Sequence, residues 1–167
     1  MKGGFKGMQQ LSGMLLLIAV LGMPSGALAT DNRACKLLTA AELEPVVGGK
    51  MRAFQGSSYR TGDMCAASST VANVMLRLGK KEQADAATKS MKMLRRMGAR
   101  INVKTFGPIT CSTITPPKDM QQYGFKTTCS VSKAAEIAAV EVRAKNQKDM
   151  VSINALHTLA DKMAGRF

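Results

Sequence analysis

Apolar residues recur along this chain at two different spacings, and the changes from one spacing to the other mark out its elements. Leu38-Thr39-Ala40-Ala41-Glu42-Leu43 reads as a helix start. Thr39 caps the end, Glu42 three residues on reaches back to complete a capping box, and Leu38 and Leu43 are spaced for a hydrophobic staple. Gly48-Gly49 ends that helix, with Pro45 inside it. Lys50–Thr61 reads as an irregular strand or loop, and Phe54-Gln55-Gly56-Ser57-Ser58 within it as a polar turn. Cys65–Leu78 alternates with period two and predicts one strand. Thr70, Ala72, Val74, Leu76 and Leu78 face one side of it, with Val71, Asn73, Met75 and Arg77 on the other. Glu82–Met97 switches to helical spacing, with Ala84, Ala87, Met91, Leu94 and then Gly98 as its stripe. Ile101–Thr105, Ile109–Thr115, Thr127–Val131 and Ala135–Arg143 predict strands, the last two as an antiparallel pair; a helix is the alternative for Ala135–Arg143, against which Val140 and Val142 weigh. Ser152–Phe167 predicts a closing helix that buries Ile153, Leu156, Leu159, Ala160 and Met163.

Helices interspersed with runs of strands in this order fit an α+β fold, an antiparallel sheet with about three helices packed on it, better than a doubly wound parallel one. At 167 residues, 46% hydrophobic and 21% charged, the composition is that of a globular protein and excludes collagen-like, coiled-coil and wholly disordered chains. The length suits one domain.

The first residues carry a targeting pattern. Lys2 and Lys6 precede the apolar run Met14–Met23, then come Pro24, Ser25 and Gly26, and Ala27-Leu28-Ala29 offers small residues for a signal peptidase. The apolar run is short for the ~30 Å of bilayer hydrocarbon. Residues 1–29 are therefore expected to be a cleaved signal peptide, leaving 30–167 as a single exported domain, periplasmic or secreted, with no membrane span after cleavage. Asp31-Asn32-Arg33-Ala34 before Cys35 does not match the apolar-small-small run that precedes a lipidated cysteine.

All four cysteines fall beyond that site, and an even number in an exported chain reads as two disulfides with three connectivities open. Cys35–Cys65 with Cys111–Cys129 closes the shorter loops and is the favoured pairing. No C-x-x-C is present, so zinc and redox-thiol roles are disfavoured.

Cys35-Lys36-Leu37-Leu38-Thr39-Ala40-Ala41-Glu42, a second Cys before a strand, a late Cys-bearing strand and the closing Asn154-Ala155-Leu156-His157-Thr158-Leu159-Ala160 together resemble a loose group of small exported bacterial envelope proteins whose mature domain opens with C-x-L-L-T-x-x-E. The resemblance implies an α+β envelope domain of the kind found in lipoproteins and sensor modules, and brings no catalytic residues with it.

Charge adds the main functional signal. The 24 Lys and Arg exceed the 11 Asp and Glu by 13, and Lys2 and Lys6 account for only two of that excess. On the second helix and its flanks, Lys81, Lys89, Lys92, Arg95, Arg96 and Arg100 make a cationic face suited to an anionic envelope component or an acidic protein partner. The absence of Trp, with two Tyr and five Phe, leaves few stacking platforms, and together with export this argues against nucleic acid. Catalytic chemistry finds few footholds. His157 is the only histidine, with Asp161 at i+4 as a local partner, and no nucleophile elbow, P-loop or metalloprotease motif occurs. Glu136 and Glu141 read as solvent-facing strand residues, and Met91, Met93 and Met97 as core filling, with Cu(I) binding the sharper alternative. The sequence thus predicts a non-catalytic binding or accessory module without cofactor or metal, the alternatives being an exported hydrolase or a Met-based Cu(I) carrier.

Overall fold

The computed structural model of the protein describes residues 32–81 and 84–167, and in 84–88 the backbone only. The signal segment expected at Met1–Ala29, and the side chains of Glu82, Ala84, Asp85 and Ala87, lie outside the described residues. Strands β1 (Gln55–Tyr59), β2 (Gly62–Ser68), β3 (Ala72–Lys80), β4 (Arg100–Phe106), β5 (Ile109–Thr115), β6 (Phe125–Lys133) and β7 (Glu136–Ala144) form one fully antiparallel sheet in the order β1-β2-β3-β7-β6-β5-β4. Three α-helices accompany it among the described residues: α1 (Ala40–Val47), α2 (Ala84–Arg96) and α3 (Ile153–Ala164). The protein is α+β, as its sequence predicts.

Period-two alternation decides which side of each strand is dry. Val74, Leu76 and Leu78 of β3, Val140 and Val142 of β7, and Cys129 and Val131 of β6 point to one face. Against it lie Leu156, Leu159 and Met163 of α3, with Leu37, Leu38 and Leu43 from the N-terminal segment. Ser152 caps α3 by accepting from the Ala155 N–H. The buried stripe of α3 is the one the sequence predicts, because an unbroken 3.6-residue period leaves only one apolar face to bury.

Both expected disulfides are present. Cys35, in a 3₁₀ turn at Arg33–Lys36, joins Cys65 of β2 with Cα atoms 5.1 Å apart, fastening the N-terminal segment onto the sheet. Cys111 and Cys129 face each other in register across β5 and β6, at 4.0 Å.

Two local readings are corrected. The single strand expected over Cys65–Leu78 is a hairpin: the Ser69 hydroxyl accepts from the Val71 and Ala72 N–H groups and donates to the Ala72 carbonyl, turning the chain between β2 and β3. The polar turn expected at Phe54–Ser58 lies mostly in edge strand β1, which reaches β2 through a two-residue turn ending at Gly62. Gly62 has φ +144°, and a Cβ there would run into the Leu78 carbonyl oxygen, so only glycine fits.

The capping box at α1 forms as the sequence predicts, and the far end of the chain reinforces it. Glu42 accepts from the Thr39 N–H at 2.9 Å and pairs with Arg166, whose two terminal nitrogens reach its two oxygens at 2.8 Å each; Arg166 also donates to the Leu37 carbonyl. The Arg166 guanidinium first, and the Thr39 N–H next, hold the Glu42 carboxyl down to about 2. Folding thus favours the ionised carboxylate, so its stabilising effect is complete above the ordinary value of 4.5 and is lost as pH falls through about 2. Glu42→Gln should cost about 1 kcal/mol near neutral pH. Urea titrations should show that gap closing as pH approaches about 2, whereas a pH-independent gap would refute the assignment.

Candidate functional site

Five of the six cationic residues predicted from the sequence lie on α2 and at the start of β4; Lys81 lies instead just past β3, its N–H bonded to the Ala135 carbonyl. In α2, Lys89, Lys92 and Arg96 fall at i, i+3 and i+7 and share a face, flanked by Arg95. All four are exposed, as are Lys81 and Arg100, while the stripe residues Met91 and Leu94 are half-buried. The helix stops in a Schellman turn: Gly98 has φ +89°, its N–H bonds to the Arg95 carbonyl, and the Ala99 N–H bonds to the Leu94 carbonyl. Arg95 and Arg96 occupy the last helical turn, where cations complement the negative end of the helix dipole. Arg100 then opens β4, the edge strand at the other end of the sheet from β1, which also carries Lys104. From 86 to 118 the chain holds seven Lys and Arg and no Asp or Glu. Among the described residues, none of the α2 and β4 cations is ion-paired.

Met93 and Met97 correct the core-filling reading. They are 63% and 44% exposed, one turn apart on the outer side of α2, and Val103 of β4 is 40% exposed. The stretch that carries the cations therefore also carries three of the five large apolar side chains that reach solvent among the described residues.

A second cluster, which sequence reasoning missed, sits on the sheet face opposite the core. Glu141 of β7, expected to face solvent, is only 7% exposed. Its Oε1 accepts from Arg143 at 3.0 Å, and its Oε2 lies 3.5 Å from Lys126 and 3.9 Å from Arg77. Three cations drawn from β3, β6 and β7 thus enclose one carboxylate, leaving a net charge of +2. Register brings them together: Lys126 is directly opposite Arg143, and Arg143 opposite Asn73. Alternation hints only that Glu141 and Arg143 share a face; their approach to Arg77 and Lys126 depends on strand order.

His157 lies on α3 with its ring 4.2 Å from that of Phe106, the planes tilted by 35°. That stacking takes the place of the Asp161 hydrogen bond that i+4 spacing offered. Among the described residues no three His, Cys, Asp or Glu side chains gather as a metal site, and no helix is long and apolar enough to cross a membrane. No protein-family model matches the chain, and no curated protein matches it in sequence.

Proposed function

We propose that the protein is a non-catalytic binding or accessory module of the bacterial envelope, exported behind the Met1–Ala29 segment, which uses the α2–β4 surface to contact an acidic protein partner. The observation that carries this reading is the run of solvent-exposed cations Lys89, Lys92, Arg95, Arg96 and Arg100, none ion-paired among the described residues, in the stretch 86–118 that holds no Asp or Glu. Such a surface steers oppositely charged partners and fixes their register. Met93, Met97 and Val103 favour a protein over a bare polyanion, because flexible thioethers in a charged surround can pack against an apolar patch. Two disulfides suit an oxidising compartment, and the resemblance to exported envelope proteins points the same way.

The test is chemical cross-linking and pull-down from envelope extract, comparing the wild type with a Lys92→Glu, Arg95→Glu, Arg96→Glu variant. The variant should bind its partner at least about tenfold more weakly and lose most of the salt dependence. Equal capture by both proteins would sink the proposal. Capture of anionic lipid or polysaccharide alone, lost at high salt, would replace the acidic protein with that component.

A further inference from the structure

We propose that the sheet face opposite the core carries a binding site for a small amphipathic monocarboxylate, separate from the α2–β4 surface. A groove of about 430 Å³ opens there beside the Glu141 cluster, within the size range of small-molecule sites. Arg52 and Arg143 line it from two different segments, with the Asn73 amide on the strand next to Arg143, and Ala53, Ala66 and Met75 supply apolar wall. The backbone at Arg52 is anchored to β2, its N–H bonding to the Ser68 carbonyl at 2.9 Å, while its side chain stays exposed to reach the groove. Arg143 is oriented by the 3.0 Å bond to Glu141. Glu141 is thereby a positioning residue.

The lining selects the ligand. Two guanidinium groups present planar forks that match a carboxylate head. Glu141, also lining the groove, accepts one Arg143 N–H and leaves the site positive overall, so charge admits an anionic head and the apolar wall decides what may follow it. The wall of Ala53, Ala66 and Met75 leaves room for a short hydrocarbon body in place of a second polar group.

The experiment is a titration of the disulfide-bonded protein with acetate, butyrate and hexanoate, followed through its amide NMR signals, with hexylamine and inorganic phosphate as controls. Hexanoate should shift the Ala66, Asn73 and Met75 signals saturably, and affinity should rise by at least about tenfold from acetate to hexanoate as methylenes leave water. Arg52→Gln, at an exposed side chain outside the Glu141 cluster, should weaken hexanoate about tenfold without altering the fold. The α2 charge-reversal variant should bind hexanoate as the wild type does, which keeps this result independent of the partner reading. Absence of saturable shifts, equal binding by Arg52→Gln, loss of binding in the α2 variant, or phosphate or hexylamine binding as tightly as hexanoate would each overturn the proposal.

Discussion

Replacing Cys35 and Cys65 together by Ala should lower the free energy of unfolding by about 3 kcal/mol, measurable as a shift in the urea midpoint under non-reducing conditions. The bond closes a loop of 30 residues, and freeing a loop of that length returns conformational entropy worth about 3–4 kcal/mol to the unfolded chain. The location adds a structural consequence. Among the described residues no strand precedes β1, so the 3₁₀ turn and α1 are held to the sheet by this bond, by the burial of Leu37, Leu38 and Leu43, and by Asn32, which donates to the Ser57 carbonyl at 3.0 Å. Loss of the bond should therefore speed hydrogen exchange in α1 before it affects β6 and β7. The Cys111→Ala, Cys129→Ala pair closes a loop of 18 residues between strands already adjacent, and its removal should cost somewhat less. Equal costs and uniform exchange would show that α1 is not fastened in this way.

Glu141→Ala should destabilise the protein by about 2 kcal/mol near neutral pH. The carboxylate is almost fully enclosed, and its removal leaves Arg77, Lys126 and Arg143 facing one another with nothing to offset their repulsion. Breaking a buried pair costs about 3–5 kcal/mol, and the partial exposure of these cations reduces that figure. Because repulsion among half-exposed charges is screened, the deficit should shrink as ionic strength rises from about 0.05 to about 0.5 M. A salt-independent loss would point to a packing defect instead. Pairing Glu141→Ala with Arg143→Ala should recover part of the loss, since fewer cations then remain to repel.

The fold was legible wherever one signal dominated. The α3 stripe, the capping box at Thr39 and Glu42, and the limits of β5 at Ile109–Thr115 all emerge from local periodicity or spacing. The run from Cys65 to Leu78 misled because Ser69, Thr70 and Val71 are all compatible with an extended chain; the turn is made by the Ser69 N–H bonding to the Ala72 carbonyl and by the Ser69 hydroxyl accepting from two backbone N–H groups beyond it. Positions on α2 were legible as cationic for the simple reason that charge is written in residue types. Exposure of Met93 and Met97 was not, because a methionine at helical spacing has the same signature whether or not another element covers it. The enclosure of Glu141 was hidden for a different reason: Lys126 lies just outside the strand expected at Thr127–Val131, and Arg77 reaches Glu141 from a strand that becomes its neighbour only when β3 pairs with β7.

That pairing governs how the molecule assembles in time. β1 to β3 form by consecutive hairpins, and β4 to β7 by another set, but the seam between them joins Ala72 to Ala144 and Lys80 to Glu136. A chain made or exported from its N-terminus must hold β3 as an open edge, with Val74, Leu76 and Leu78 uncovered, until β7 arrives. Closing so distant a contact is slow compared with turning a hairpin, and an uncovered apolar edge is the place where a chain pairs with the wrong neighbour. The seam is thus where folding is expected to be slowest, and where a crowded, concentrated preparation should be most prone to aggregate.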